Sequence, residues 1–435
     1  MDGIEYPKAT LRPQMICGLI ISLKSVNFAA GYEGQIELQL KQLMNLRKIG
    51  IVLVVFMAAG INSWAAGEAS GDSVRDSEPK VKFRPVGRIL LDGAVYGPDG
   101  NGFTDGVQIP DLRAGVAVDY GKWSAMIDIG FGYFKLSMKD VYIQYKFDKA
   151  NTLRAGYFFH QFGLQTSTGA ANKCDIVIPV SDTYWGTFSR NFGVMYTMNK
   201  PRFFMATSLL LGNNNSITDD KITRISLGGL GRFVWRPIAR TGQIVQAGVS
   251  AGYQSPTHKR NADGVSQPGS FTLGANFPTQ VVRVKMIGAT VDNAGNQFKL
   301  SPELLLSLDR FALESQYYYM NINRVGMPHY QAQGAYAWLR CLLMGQRQYA
   351  YAPAVAGIAN PGPKTLEVVA GYDYVNAGYK DIRGGISNDW SLTFNYYFNK
   401  YVTARLGYRY SYVRGSSVCP DRHVNIAQLR LQFKF

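Results

Sequence analysis

The chain has 435 residues and a formal net charge of +16, yet only 17% of its residues are charged and 13% are aromatic. Its mean hydropathy of -0.10 excludes a bundle of membrane-spanning helices. The low charge argues against a set of soluble domains, in which about a quarter of residues are charged. Neutral hydropathy with abundant Tyr, Phe and Gly favours a transmembrane β-barrel that alternates lipid-facing and water-facing residues.

The N-terminal region predicts a secretory signal. Arg47 and Lys48 precede the apolar run 49–59, and the small residues up to Ala66 form a cleavage pattern. The run is shorter than the ~20 apolar residues of a membrane-spanning helix, and a short buried helix is the alternative. We predict an over-extended, non-functional N-terminus over residues 1–43, a Sec signal peptide over 44–66 and a short polar leader over 67–80.

Three cysteines follow the predicted signal peptide. They are Cys174, Cys341 and Cys419, and their odd number implies at least one free or intermolecular thiol. The pairing of the others cannot be derived from the sequence. No cysteine follows the cleavage pattern directly, so a lipid-anchored N-terminus is not expected.

Residues 81–435 show period-two alternation that continues to the end of the chain. In residues 123–131, Trp123, Ile127 and Phe131 share one face, while Ser124 and Asp128 share the other. Such alternation predicts strands with one face on lipid. The fold class is therefore all-β, an antiparallel transmembrane barrel, and counting predicts sixteen strands, with fourteen or eighteen as alternatives. A large soluble β-sandwich or propeller is the competing fold, but its repeated aromatic faces would aggregate without lipid.

The connections between strands fall into two sizes. Short ones lie at residues 198–201, 308–311 and 398–401, whereas longer ones lie at 97–108, 165–188, 212–220, 255–278 and 341–363. Bacterial barrels place short turns at the periplasmic rim and long loops at the extracellular rim. We therefore expect the two sizes to occupy opposite rims.

The last strand alternates as the others do. Leu431, Phe433 and Phe435 share the apolar face, while Arg430 lies on the other face. A terminal strand that ends in Phe resembles the signal read by the outer-membrane barrel assembly machinery. This strand and the signal peptide together predict a multi-pass β-barrel in the bacterial outer membrane.

Several segments resemble the phosphate-selective porin O and P family. Residues 136–164 read LSMKDVYIQYKFDKANTLRAGYFFHQFGL, similar to the family's LKDAYV-Y and LR-GQFK-PFGLE stretches, and residues 366–374 and 393–399 resemble its later strands. The resemblance implies a sixteen-stranded porin, a homotrimer, and a constriction of inward-folding loops that conducts small anions. Gln165 stands where the family has Glu, and Lys173 lies where members often have an Arg, which makes the porin implication stronger than phosphate selectivity.

If the apolar face meets lipid, the opposite face lines the lumen. We expect charged residues there because a charge on the lipid side is costly near the bilayer midplane. With Lys173, predicted in a constricting loop, the basic candidates for anion selectivity are Arg88, Arg113, Arg154, Arg224, Arg232, Arg283, Lys285, Arg405, Arg409 and Arg430. Rings of Arg or Lys favour anions in a pore. For each arginine the alternative is an ion pair that braces neighbouring strands, and for Lys173 it is a solvated loop position.

Three functional classes follow from this pattern. The leading one is a porin that passes small solutes by diffusion, with anions such as phosphate preferred. An enzyme is not expected, because His160, His258, His329 and His423 lie in separate segments without triad or metal spacing. A structural or surface-binding barrel without transport is the alternative. The expected partners are small anions, outer-membrane lipid, lipopolysaccharide and the assembly machinery, without cofactor, metal or nucleic acid.

Overall fold

The structure is a computed structural model that describes residues 79–97, 102–186, 190–212 and 221–435. The predicted N-terminal extension, signal peptide and nearly all of the leader lie outside the described residues. The predictions for those segments therefore stay predictions.

The part of the chain that the structure describes contains twenty-one strands in chain order, the longest of 24 residues. Their bounds are β1 (Lys82–Tyr96), β2 (Gly106–Tyr120), β3 (Trp123–Gly130), β4 (Ser137–Lys146), β5 (Asn151–Phe159), β6 (Arg190–Asn199), β7 (Phe203–Leu210), β8 (Ile222–Arg224), β9 (Gly228–Arg240), β10 (Gln243–Gln254), β11 (His258–Lys259), β12 (Gly269–Asn276), β13 (Lys285–Leu308), β14 (Phe311–Arg324), β15 (Tyr330–Met344), β16 (Tyr351–Ala352), β17 (Gly357–Ile358), β18 (Thr365–Tyr379), β19 (Ile382–Tyr397), β20 (Val402–Ser416) and β21 (Arg422–Lys434).

Sixteen of these strands close an antiparallel barrel. Each pairs with the next of the sixteen along the chain. Strand β1 pairs with both β2 and β21, so the first and last strands complete the ring. Strands β8 and β11 form one small two-stranded sheet outside this ring and β16 and β17 form another, while β12 extends the edge of the long strand β13. The predicted all-β antiparallel barrel of sixteen strands is confirmed.

Alternation decides which face of each strand meets lipid. In β21, Leu431 and Phe433 are exposed on the outer face, while Arg430 and Gln432 are buried on the inner face. Strand β20 repeats the pattern, with Leu406 exposed and Arg405 buried. An apolar outer face is favourable in hydrocarbon, and the closed ring satisfies the backbone hydrogen bonds that lipid cannot.

Antiparallel order assigns every second connection to the same rim. The connections 121–122, 147–150, 200–202, 241–242, 309–310, 345–364 and 398–401 share one rim, called here the short-turn rim. The connections after β1, β3, β5, β7, β10, β14, β18 and β20 share the other, the long-loop rim. The long connection predicted at 341–363 therefore lies on the short-turn rim, contrary to expectation, and its first four residues belong to β15.

Three connections pack against the inner face of the barrel. One is the connection before β13, where the Pro278 carbonyl accepts a hydrogen bond at 3.0 Å from the inward-facing Gln428 of β21. The other two are a loop and a hairpin that are named here. From the long-loop rim comes the lumen loop, residues 160–186, which contains helices α1 (Gly163–Ser167) and α2 (Val180–Tyr184). From the short-turn rim comes the lumen hairpin, residues 345–364, which contains β16 and β17. The two meet where the side-chain amides of Asn172 and Asn360 approach to 3.1 Å. No helix among the described residues is long and apolar enough to cross a membrane.

Part of the barrel interior is an apolar core. Trp185 of the lumen loop is fully buried and lies 5.5 Å from the ring of Tyr318 on β14. Met286 and Ile287, at the start of β13, belong to the same cluster. The inner face therefore includes apolar residues that pack against inserted segments, and strand alternation alone cannot distinguish them from residues that line water.

Basic residues outnumber acidic ones at both rims. At the short-turn connections, the strand ends beside them and the start of β1, thirteen described residues are basic and three are acidic. The basic set, called here the cationic collar, is Lys80, Lys82, Arg84, Lys122, Lys146, Lys149, Lys200, Arg202, Arg240, Arg310, Arg347, Lys364 and Lys400; the acids are Asp119, Asp148 and Asp309. The described connections of the long-loop rim and the strand ends beside them carry thirteen basic residues (Lys135, Lys173, Arg190, Lys221, Arg224, Lys259, Arg260, Arg283, Lys285, Arg324, Lys380, Arg383 and Arg422) and six acidic ones (Asp105, Asp175, Asp182, Asp263, Asp381 and Asp421).

Exposed aromatic side chains accompany the cationic collar. They lie in or beside the short-turn connections, at Phe83, Tyr120, Trp123, Phe147, Phe203, Phe311, Phe398, Tyr401 and Phe435. Trp123 packs against Tyr145 with ring centroids 4.7 Å apart. Aromatic rings at this height suit the boundary between hydrocarbon and headgroups.

Candidate functional site in the lumen

Asp175 anchors the lumen loop to the barrel wall. Its carboxylate accepts hydrogen bonds from Ser391 Oγ (3.0 Å) and Thr393 Oγ1 (2.8 Å) on β19. Arg409 on β20 forms an ion pair with the same carboxylate at 2.6 Å and a second ion pair with Asp389. All five residues are buried, so this network fixes the middle of the loop against three inward-facing positions of β19 and one of β20.

Other wall residues hold the backbone of the same loop. Arg405 Nη1 donates to the Asp175 carbonyl at 2.9 Å, and Gln432 Nε2 donates to the Ala171 carbonyl at 2.7 Å. Buried backbone carbonyls need such partners because leaving them unpaired is costly. Arg405 makes no ion pair with a described carboxylate, and its guanidinium donates to backbone carbonyls of the lumen loop.

The lumen hairpin is fixed in the same way. Arg232 on β9 forms a fully buried ion pair with Glu303 at 2.7 Å and donates to the carbonyls of Val355 and Ala356, each at 3.1 Å. Arg430, paired with Asp92 at 2.6 Å, closes the seam between β21 and β1. Four of the predicted lumen arginines, Arg232, Arg405, Arg409 and Arg430, thus face inward but brace inserted segments or neighbouring strands.

The wall of β1 to β5 is more accessible. Arg88 on β1 pairs with Asp111 at 2.5 Å, and Arg113 on β2 pairs with Asp111 at 2.8 Å and with Asp128 at 3.2 Å. The side chains of Arg88 and Arg113 keep 15% and 13% of their surface exposed, against 3% for Arg409. Both arginines therefore present N–H groups to lumen water while their charge is partly balanced.

Three basic side chains near this wall form no ion pair with a described carboxylate. Arg154 on β5 donates to Gln144 Oε1 at 2.8 Å and stacks over the ring of Tyr142 at 4.0 Å. Lys434, near the end of the chain, donates to Asn172 of the lumen loop at 2.6 Å. Lys139 on β4 is half-buried. Because stacking leaves the edge of a guanidinium free, Arg154 can still donate to an anion.

Four predicted candidates lie away from the barrel wall. Lys173 is buried within the lumen loop and donates to the Gln165 carbonyl. Arg224 is exposed on β8, and strand alternation does not place it on the wall because β8 is outside the barrel sheet. Arg283 precedes β13 and stacks over the ring of Tyr133 at 5.1 Å. Lys285 is exposed where β13 pairs with β12.

Burial of Lys173 predicts a pH effect on stability. Desolvation lowers the pKa of Lys173 to about 8 from the usual 10.5. Between these values the unfolded chain keeps the proton that the folded chain has lost, so raising the pH through this window increases stability. We expect the wild type to gain up to about 3 kcal/mol relative to Lys173→Met between pH 8 and 10.5. Urea unfolding at several pH values measures the difference, and parallel curves for the two proteins would contradict it.

Several wall residues were not among the sequence candidates. Arg236 on β9 is buried and donates to the Pro353 carbonyl of the lumen hairpin at 3.2 Å, while Arg340 on β15 pairs with Glu367 at 2.9 Å. Arg236 shares the parity of Arg232, so alternation could have identified it. Asp175 could not be identified that way, because it belongs to a loop and its partners lie on strands more than 200 residues away.

The last residues complete the barrel seam. Phe435 N donates to the Gly87 carbonyl at 3.0 Å, and Gly87 N donates to the Phe435 carbonyl at 3.2 Å. A side chain at position 87 would meet the Phe435 ring at 2.5 Å, so the ring lies directly over this glycine. Leu431, Phe433 and Phe435 are all exposed on the outer face, available to lipid or to an assembly factor.

No metal or redox centre emerges from the described residues. They contain no group of three or more His, Cys, Asp or Glu side chains that could hold a metal ion. Cys174, Cys341 and Cys419 are free thiols, and burial raises the pKa of Cys174 well above its usual value. A raised thiol pKa disfavours the reactive thiolate.

Comparison with known proteins gives one family match. The family described as "Phosphate-selective porin O and P" matches residues 108–435. A search of curated proteins found no match.

Solved structures share the fold at low sequence identity. The anion-selective porin from Comamonas acidovorans matches with a TM-score of 0.54 and 10% identity, over 82% of this chain and 100% of that chain. A loop L8 deletion mutant of OmpT from Vibrio cholerae gives 0.53 and 12%, over 82% and 99%. The outer membrane channel DcaP of Acinetobacter baumannii gives 0.52 and 11%, over 84% and 100%. At such identities the likeness shows a common barrel fold.

Proposed function

Since the chain belongs to the phosphate-selective porin O and P family, we propose that this outer-membrane porin lets small solutes diffuse passively through its lumen and prefers anions such as phosphate. The path runs along the accessible wall of β1 to β5, because the opposite interior is filled by the lumen loop and the lumen hairpin. No reaction is required of the protein, and the proposal includes no enzymatic step.

One observation carries the anion preference. On the accessible side, Lys139, Arg154 and Lys434 form no ion pair with a described carboxylate, whereas Asp111 and Asp128 are both engaged by arginine. The accessible wall therefore keeps a positive excess after pairing. In a pore, unpaired basic groups attract anions and raise the barrier to cations.

The oligomeric state and the roles of the individual arginines are part of the same proposal. A homotrimer is supported by a neighbour described as a trimer form, OmpT of Vibrio cholerae, which matches with a TM-score of 0.51 and 11% identity over 82% of this chain and 99% of that chain. The Comamonas acidovorans porin is described as anion-selective. The braced residues Arg232, Arg405, Arg409 and Arg430 act in this proposal by holding the constriction, while Arg88, Arg113 and Arg154 meet the solute.

Charge removal on the accessible wall tests the proposal. We expect the double variant Lys139→Gln, Arg154→Gln to lower the anion-to-cation permeability ratio by about half or more, because two unpaired charges leave the path. The reversal potential of purified protein in a planar bilayer under a KCl gradient measures this ratio. Phosphate in place of chloride then tests the preferred anion.

Lys135→Gln is the matched control. Lys135 is exposed on the connection that leads into β4, four residues before Lys139, and should leave the ratio unchanged. An unchanged permeability ratio in the double variant would contradict the proposal that this wall gives the pore its anion preference. Absence of conductance in the wild type would instead favour a structural or surface-binding barrel.

A further inference from the structure

The connection between β12 and β13 crosses the entrance of the barrel at the long-loop rim. In the closed ring β13 is the tenth of the sixteen strands and β2 is the second, so the two lie on opposite sides. Residues 277–284, called here the mouth loop, lead into β13 and yet contact the first strand, because Thr279 Oγ1 lies 2.9 Å from Tyr96 Oη on β1. The mouth loop therefore spans the entrance from one wall to the other.

The base of the mouth loop is fixed. Phe277 N donates to the Val284 carbonyl at 2.9 Å, which joins the two ends of the loop. Phe277 and, just beyond the loop, Met286 are buried in the apolar core of the barrel interior. Between these anchors Gln280 is half-buried and Arg283 is exposed. A segment with few buried contacts opens at low free energy, so the tip of the loop is the part that can move.

Tyr133, in the connection between β3 and β4, meets this tip. Its hydroxyl donates to Gln280 Oε1 at 2.5 Å, and the guanidinium of Arg283 lies over its ring, 5.1 Å from the ring centroid. Burial raises the pKa of Tyr133 to about 12, so the phenol keeps the proton that it donates. Tyr133 therefore joins the mouth loop to the rim directly above the accessible wall of β1 to β5.

Tyr133 makes these contacts from a strained backbone. Tyr133 has a φ of 56° and Phe134 a φ of 57°, in the left-handed region that residues with a side chain rarely adopt. The Phe134 side chain is 83% exposed and gains little packing in return. Such strain persists only where other contacts hold it, and it is typical of clamps and switch regions. The contacts of Tyr133 with Gln280 and Arg283 oppose the strain.

We propose that Tyr133 and the mouth loop form a gate over the solute path, closed by the hydrogen bond to Gln280. The gate rests on the proposed function, since it needs a path to close. Strain at two residues favours release of Tyr133 from the mouth, whereas the hydrogen bond and the stacked guanidinium favour closure. These contributions are each comparable to one hydrogen bond, so closed and open gates are both populated. The open gate admits larger solutes than the closed gate.

Two substitutions of Tyr133 test the gate in single-channel recordings of the full-length purified protein. Tyr133→Phe keeps the ring beneath Arg283 and removes only the hydrogen bond that has to break before the gate opens. We expect its closed-state dwell times at low voltage to shorten about fivefold, the usual effect of one neutral hydrogen bond. Tyr133→Gly removes the ring as well and should leave the channel open throughout.

Tyr379→Phe is the matched control for Tyr133→Phe. Tyr379 ends β18 at the same rim, and its hydroxyl lies 3.0 Å from His329 Nε2 and not against the mouth loop. Loss of this hydroxyl should leave the dwell times at their wild-type values. Liposome swelling with sugars of increasing size then measures the size limit, which should rise in Tyr133→Gly and stay unchanged in Tyr379→Phe.

A reversible crosslink holds the gate closed. The thiols introduced by Tyr133→Cys and Gln280→Cys are joined by a bis-methanethiosulfonate as long as the two replaced side chains. We expect the open events to disappear after crosslinking and to return when the linker is reduced. The wild type and the two single variants receive the same reagent, which accounts for any reaction of the native free thiols.

Conductance distinguishes failure of the gate from failure of the porin proposal. Equal conductance and dwell times before and after crosslinking would overturn the gate and leave the porin proposal intact. Wild-type dwell times in both Tyr133→Phe and Tyr133→Gly would do the same. Absence of conductance in the wild type and in every variant would overturn the porin proposal and the gate with it. The substitutions at Tyr133 remove no charge, so the anion-to-cation ratio remains a separate test of the lumen wall.

Discussion

Replacing Asp175 with alanine is expected to lower the free energy of unfolding by about 3–5 kcal/mol, the usual effect of removing one partner from a buried ion pair. The variant leaves Arg409 with Asp389 as its remaining carboxylate and deprives Ser391 and Thr393 of their acceptor. The lumen loop then loses its central attachment. We therefore expect a larger and noisier single-channel conductance together with the loss of stability.

An exposed aspartate provides the control for Asp175. Asp263 lies in the connection before β12 and interacts only locally with Asn261, so Asp263→Ala should change stability by less than about 0.5 kcal/mol. Urea unfolding in detergent micelles and bilayer recordings measure the two properties separately. Wild-type conductance in Asp175→Ala would show that the loop does not depend on this carboxylate for its position.

The variant Phe435→Ala is expected to have a small effect on barrel stability and a large effect on insertion into the outer membrane in cells. The backbone pairing of residue 435 with Gly87 does not need the side chain, so the variant should still fold in lipid vesicles. Loss of the half-exposed ring should cost about 1–2 kcal/mol. In cells, however, the amount inserted in the outer membrane should fall sharply, because the terminal ring is the proposed assembly signal.

Phe398→Ala is the comparison for Phe435→Ala. Phe398 is a half-exposed aromatic residue on the same rim, in a connection and not at the end of the chain. Its loss should have a similar small effect in vesicles and little effect on insertion in cells. Equal insertion of both variants would mean that the terminal ring serves only the barrel seam.

Strand alternation predicts the barrel well because every second residue of a membrane-spanning strand faces lipid and must be apolar. Leu431, Phe433 and Phe435 are exposed and Arg430 is buried, as the period-two pattern indicates. The same pattern fails at Arg224 because β8 pairs with β11 outside the barrel sheet, and at Lys285 because the first part of β13 pairs with β12 beyond the ring. A pattern of faces contains no information about where a strand leaves the barrel.

The interior could be predicted only in part. Alternation correctly turns Arg409 inward, but its principal partner, Asp175, lies 234 residues earlier in a loop without periodicity. The lumen hairpin has the composition of an ordinary loop. Predicting that it enters from the short-turn rim would require the correct number of strands before it. Which arginines meet solute and which brace the wall is therefore decided by tertiary packing, which the sequence pattern does not record.

The position of the lumen loop constrains the order in which the barrel can be built. The loop leaves the chain after β5, yet the ion pair and hydrogen bonds that hold its middle, at Ala171 and Asp175, are made with β19, β20 and β21, the last strands to be synthesised. Until those strands arrive, the buried charge of Asp175 has no partner and must stay hydrated. The growing sheet must therefore remain open on one side long enough for the loop to be received. Closure by Phe435 and Gly87 then becomes the step that traps the contents of the barrel, and a barrel that closed too early would have no route for the loop to enter.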